Sequence, residues 1–197
     1  MMGIDILYER HLNNPVKFNS TDINEHLPTL RSYGGNYNHI TEMGVRWGSS
    51  TIAFLMGEPK ELVSYDIQVT NEINQIIEMS QKVKTDFSFV LGDTLSIDIK
   101  ETDVLFIDTL HTYNQLYGEL IKHSDFVRSH ILLHDTVSFG YKDEKIYKHA
   151  SEVVKTKAVN KVGLRTAVED FLNDNSEWYI EKEYKNNNGL MVLSRNK

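Results

Sequence analysis

The 197-residue chain contains no cysteine, only three prolines and no stretch approaching eighteen consecutive apolar residues. The first absence excludes disulfides, zinc–thiolate centres and cysteine nucleophiles, and the last leaves no candidate membrane-spanning helix. The opening residues MMGIDILYERHLNN show no basic segment followed by an apolar run, so no secretory signal is read there and a cytoplasmic location is expected. Positive charge is also scarce. With 21 Lys and Arg against 28 Asp and Glu, the net charge is −7. This gives no electrostatic reason to approach nucleic acid or an anionic membrane. A small or neutral partner fits better, and self-association into a homo-oligomer stays open.

What is present is an ordinary globular composition, 40% hydrophobic and 25% charged, in a length that suits one domain. Short apolar runs alternate with segments of helical period, the pattern of βαβ units around a parallel sheet. The runs are His39–Val45, Glu61–Ile67, Phe87–Leu91, Asp103–Thr109 and His130–His134. Helices are predicted at Ser49–Met56, Asn71–Lys84, Asn114–Val127 and Leu164–Leu172. Two last strands, Trp178–Tyr184 and Leu190–Leu193, flank Asn187, Asn188 and Gly189, residues suited to positive φ. Residues 39–197 thus read as one α/β domain, and 1–38 as a covering segment with a helix over Thr21–Arg31 capped by Thr21 or Asp22. The polar stretch 140–162 interrupts the alternation; it is read either as a lid over a site or as a solvated insertion.

In an open α/β sheet, ligands bind beyond the carboxyl ends of the strands. The stretch EMGVRWGSS lies at such an end. Gly44 and Gly48 let the backbone turn tightly around Val45, Ser49 and Ser50 offer capping hydroxyls, and amides at the helix start favour an anion. Asp66 follows Gly44 by twenty-two residues, close to the spacing at which an acid accepts from ribose hydroxyls, with Ile67 beside it. Gly92-Asp93-Thr94 adds an acid that suits an exocyclic amine or a helix cap. The pair implies a nucleoside-containing cofactor, and the GxxxG spacing argues against NAD.

At these residues the chain resembles class I S-adenosylmethionine-dependent methyltransferases, over about Ile40 to Leu193. Glu42, Gly44, Gly48 and Ser49 match the first cofactor motif of that family, Asp66 its ribose-binding acid, and Gly92-Asp93-Thr94 the segment beside the adenine. FIDTLHTYNQL, ILLHDTVSFG, GLRTAVEDFL and YKNNNGLMVL resemble, more narrowly, the branch of macrocin-type sugar O-methyltransferases and cephalosporin hydroxylase-like proteins. The chain departs from that branch at Thr109-Leu110, where Gly-Asp or Gly-Ala is common, and at His134. The resemblance implies a Rossmann-like fold, a mostly parallel seven-stranded sheet with helices on both faces and an antiparallel C-terminal hairpin.

Asp108 and Asp135 end apolar strands and should project from one sheet edge. Their mutual repulsion suits a hard cation such as Mg²⁺. The resemblance implies that these two acids hold it, with His134 or Thr136 as a further ligand. His111 reads either as a base that takes a proton from a substrate hydroxyl or as a residue orienting its loop by bonding Asp108. Tyr113 reads as a packing or cofactor contact, and Trp47 as a pocket wall or simple packing. The leading expectation is methyl transfer from S-adenosylmethionine to a small-molecule hydroxyl, through His111 and Asp108. A cofactor-binding module without catalysis and an NAD-dependent oxidoreductase are the alternatives.

Overall fold

The computed structural model describes residues 3–145 and 160–196. Seven strands form one sheet: β1 (His39–Met43), β2 (Glu61–Asp66), β3 (Asp86–Leu91), β4 (Thr102–Ile107), β5 (Val127–His134), β6 (Trp178–Tyr184) and β7 (Leu190–Arg195). Their order is β3-β2-β1-β4-β5-β7-β6. All pairings are parallel except those of β7, which runs antiparallel to both β5 and β6. The Rossmann-like architecture expected from the sequence, C-terminal hairpin included, is the one that forms.

The helices are α1 (Ile4–Asn13), α2 (Pro15–Phe18), α3 (Leu27–Asn36), α4 (Ser49–Gly57), α5 (Asn71–Ser80), α6 (Tyr113–His123) and α7 (Leu164–Asp174). Side chains alternate across a strand, and the central strands use both faces. Val104 and Phe106 of β4 pack with α1, α3, α4 and α5, while Leu105 and Ile107 pack with α6 and α7. Past Asp103 near its start, β4 is buried and apolar on both faces, so the first polar position after it, Asp108, marks the sheet edge. No helix among the described residues is long and apolar enough to cross a membrane.

Several local expectations shift. Val127 opens β5 rather than closing a helix, because α6 ends at His123 and a 3₁₀ turn, Ser124–Phe126, follows. The covering helix starts later than expected, at Leu27 with Pro28 in its first turn, and neither Thr21 nor Asp22 caps it. Ahead of it lies α1, which buries Ile4, Leu7, Tyr8 and His11, a spacing that holds one helical stripe. Asn187, Asn188 and Gly189 take the positive φ angles expected of them. Most of the segment read as a lid, together with His149, lies outside the described residues.

Candidate active site

The sheet order reverses between β1 and β4, and at that switch point the chain leaves room for a ligand. Gly44 stands directly after β1 with φ +85°, and a Cβ there would lie 1.9 Å from the carbonyl oxygen of Asp108. No residue with a side chain fits. The loops after β1, β2, β3 and β4 therefore come together around a cavity of about 490 Å³. Gly44, Val45, Trp47, Asp66, Ile67, Gly92, Asp93, Thr94, Asp108, His111 and Asp135 all line it, so most of the residues singled out in the sequence meet in one place.

The remaining candidates stand behind the wall. Glu42 is wholly buried and accepts from Ser50 Oγ at 2.5 Å, Thr51 Oγ1 at 2.7 Å and Ser64 Oγ at 2.5 Å. Burial raises its carboxyl to about 7, and the three hydroxyl donors oppose that rise. Ser49 Oγ bonds His11 Nδ1 at 2.9 Å and so ties α1 to α4. The N-cap of α4 is Gly48 at φ 79°, with no side-chain cap, so neither serine plays the capping part read from the sequence. The positive φ is what favours glycine at 48; a Cβ there would also meet the end of the Ile76 side chain at 2.1 Å.

Amides of the glycine loop just ahead of α4 are engaged within the protein. Val45 and Arg46 donate their N–H groups to Asp66 Oδ2 at 2.8 and 3.0 Å, and Gln68 donates to Oδ1 at 3.0 Å. Gly48 N–H is taken by the Val45 carbonyl at 2.7 Å. Asp66 therefore shapes the glycine loop. A carboxylate offers about four acceptor positions, so one on Oδ1 is left for a ligand. On the third loop, Asp93 Oδ1 accepts from Leu95 N–H at 3.0 Å and so closes a turn; no helix follows there for it to cap.

Asp108, His111, His134, Asp135 and Glu144 form a single charged cluster. His111 Nε2 is 3.2 Å from Asp108 Oδ1 and 3.1 Å from Asp135 Oδ2, and its Nδ1 is 2.9 Å from Glu144 Oε2. Phe139 stacks on the ring at 4.8 Å. Burial would lower His111, but bonds to Asp108 and Glu144 carry it up to about 10. It holds its proton at neutral pH. A ring that already holds its proton cannot take one from a substrate, so this geometry favours the reading of His111 as a residue orienting its loop through Asp108 over that of a general base. His134 lies beneath the pair, its Nε2 3.1 Å from the carbonyls of Asp22 and Asn187 and its Nδ1 3.3 Å from both Asp108 and Asp135. Burial opposes its charge, yet the two carboxylates hold it well above the usual histidine range. Burial also pushes Asp108 up, but the two histidines outweigh this and hold its carboxyl well below the usual carboxylate range.

The group spaced to hold a cation is Asp108, His111 and Asp135, whose ligand atoms lie within 4.8 Å of one another. His111 takes the place assigned to His134, which is occupied with the carbonyls below. Thr136 is buried and does not line the cavity. Asp135 adopts φ +60°, a strained angle for a residue with a side chain, best tolerated by Asn and Asp. Tyr113 is a packing residue here, donating to Asp170 at 2.7 Å. The sequence reading missed Asp22, Arg46, Gln115 and Glu144 as cavity residues and Glu119 behind them. Gln115 and Glu119 are one α-turn apart, a polar pair on the buried face of α6, and that was their signal.

Neither a family model nor a curated protein matches the sequence. Solved structures share its fold. Burkholderia thailandensis 1,6-didemethyltoxoflavin-N1-methyltransferase, with bound substrate and S-adenosylhomocysteine, is 12% identical with a TM-score of 0.61; the match covers 98% of this chain and 86% of that one. The magnesium protoporphyrin IX methyltransferase of Synechocystis PCC 6803, with bound S-adenosylmethionine, is 13% identical at a TM-score of 0.60, covering 100% and 98%. The N-methyltransferase NodS of Bradyrhizobium japonicum WM9, in complex with S-adenosylhomocysteine, is 13% identical at 0.59, covering 99% of each chain.

Proposed function

We propose that this chain transfers the methyl group of S-adenosylmethionine to a hydroxyl of a small molecule, such as a sugar or glycosylated metabolite. The observation that carries the reading is the convergence of Gly44, Asp66, Asp93 and Asp108 on one cavity at the switch point of the sheet. The methionine end of the cofactor suits the Gly44–Trp47 loop, the ribose the remaining acceptor of Asp66, and the base the Gly92–Thr94 turn. Glu42, Gly48, Ser49 and Ser50 act from behind, by fixing the loop. Relatives in fold that bind this cofactor and small substrates support the choice of ligand.

Methyl transfer is an in-line displacement, so positioning supplies most of its acceleration. Asp108 and Asp135 present carboxylate oxygens to the cavity, a surface that suits the positive sulfonium. When the methyl leaves, the sulfonium loses its charge and the acceptor hydroxyl gives up its proton along its hydrogen bond to Asp108, which, held as a weak base, passes it on to water. Asp108 is the carboxylate best placed to receive the hydroxyl hydrogen bond, with a quarter of its side chain open to the cavity.

Asp108, Asp135 and His111 would hold a divalent cation, and the buried Asp135 Oδ1, without a hydrogen bond among the described residues, fits such a demand. A nitrogen ligand in the set suits Mn²⁺ at least as well as Mg²⁺. A bound cation would act as a Lewis acid on the acceptor oxygen. Calorimetry with S-adenosylhomocysteine, followed by transfer of labelled methyl to matched hydroxyl and amino acceptors, tests the reading. Failure of the cofactor to bind would end it.

A further inference from the structure

Three side chains of the cavity wall come from different segments and converge on one carboxylate behind it. Thr94 Oγ1 donates to Glu119 Oε1 at 2.5 Å, Gln115 Nε2 to the same oxygen at 2.7 Å, and Thr109 Oγ1 to Oε2 at 2.9 Å. Gln115 Nε2 also donates to Thr94 Oγ1 at 3.1 Å. Glu119 is wholly buried and does not itself line the cavity. From the same side, His123 Nε2 holds the Thr94 carbonyl at 2.7 Å.

The arrangement decides which polar atoms are left for a ligand. A carboxylate only accepts, so none of the three donors can reverse while Glu119 is ionised. Both protons of the Gln115 amide and the hydroxyl protons of both threonines are thereby committed away from the cavity. Gln115 Oε1 takes no hydrogen bond from the described residues, and Gln115 lines the cavity next to Asp93 and Thr94. This part of the wall, formed by Asp93, Thr94, Thr109 and Gln115, shows acceptors and no uncommitted side-chain donors. Such a wall matches a base that carries an exocyclic amine and mismatches one that carries a carbonyl there.

We propose that Glu119 is a positioning residue that locks Thr94, Thr109 and Gln115 into an acceptor-only wall and so selects a 6-aminopurine over a 6-oxopurine. This rests on the cofactor reading above and adds the residue that sets base specificity. It also gives the Thr109 departure a role, since the hydroxyl of Thr109 anchors the second oxygen of Glu119.

The test is calorimetric, with S-adenosylhomocysteine and its 6-oxo counterpart S-inosylhomocysteine as probes, on the full chain at pH 8.5, above the value of about 7 to which burial raises Glu119. The native chain should prefer the amino form by roughly tenfold or more, one to two hydrogen bonds' worth. Glu119→Gln puts an amide donor where only acceptors stood, and should reduce the preference to within about threefold. Its thermal melt should stay cooperative, which a general loss of structure would not allow. Gln115→Met, which leaves Glu119 in place, should also erase the preference. A folded Glu119→Gln chain that keeps the native preference overturns the proposal. If that variant does not fold, the same result with Gln115→Met does so. A native chain that binds neither probe removes the cofactor reading and this inference with it, whereas one that binds both equally removes the inference alone.

Discussion

His134 Nδ1 lies 3.3 Å from Asp108 Oδ2, so a wholly buried imidazole and an acid open to the cavity share one charge balance. The pairing holds His134 protonated from below and Asp108 ionised from above. His111 completes it on the other carboxylate oxygen.

Asp108→Asn should therefore leave two imidazoliums short of a partner. A half-buried pair broken on one side costs about 3 kcal/mol. The sign of the pH effect follows from the raised histidines: their stabilisation is complete below the unfolded value of 6.5 and is lost as pH rises towards about 10 for His111. Urea denaturation should show the native chain losing stability across that window and the variant losing much less of it. Histidine NMR titration should show both rings shifted down; unchanged ring titrations would contradict the pairing.

Gly44→Ala should lose both stability and cofactor. Left-handed backbone costs a residue with a Cβ about 1–2 kcal/mol, and here the Cβ also meets the Asp108 carbonyl at 1.9 Å. A drop in melting temperature of at least ~4 °C is expected, with calorimetric binding of S-adenosylhomocysteine abolished. Native-like binding would mean that β1 and β4 are not held this closely.

Glu42→Gln should change the pH profile of stability more than its level at acid pH. Glu42 is raised from 4.5 to about 7, so the folded state binds a proton that the unfolded state has already released, and stability falls as pH rises across that interval. At about 1.4 kcal/mol per unit the effect is on the order of 3 kcal/mol. The amide keeps the shape and removes the charge. Thermal melts at pH 5 and pH 8 should therefore diverge more in the native chain than in the variant, which keeps only the share due to His111, His134 and Glu119; an equal pH dependence in both would locate the effect elsewhere.

A divalent cation at Asp108, Asp135 and His111 competes with the proton on the histidine. Mn²⁺ titrated calorimetrically in buffers of different ionisation enthalpy should bind with proton release and more tightly at pH 8.5 than at pH 6.5. Asp135→Asn should abolish it. Binding that is indifferent to pH would place the ion on other ligands.

The fold was legible because its signals are local. Val104 to Ile107 are apolar without interruption, and only a strand covered on both faces tolerates that in a chain this charged. The glycine turn and the acids ending β2, β4 and β5 were legible for a related reason: after a covered strand, a polar residue has nowhere to go but the sheet edge. Helix α1 was equally readable at Ile4, Leu7, Tyr8 and His11, but its stripe was not followed. What escaped were partnerships between segments distant in sequence. Nothing around Asp66 announces that Val45 and Arg46 will claim one of its oxygens, and nothing around Glu119 announces three donors.

By itself, then, the sequence determined the seven-stranded architecture, the need for glycine at position 44 and which acids would meet, since each follows from the apolar period and backbone freedom of a short stretch. The tertiary structure decided which of those groups carry protons and which are already spoken for. Charge states depend on burial and on neighbours within about 3–4 Å, and here folding alone supplied both: it made His111 and His134 cations, turned Asp66 into a loop anchor and placed Glu119 behind the wall.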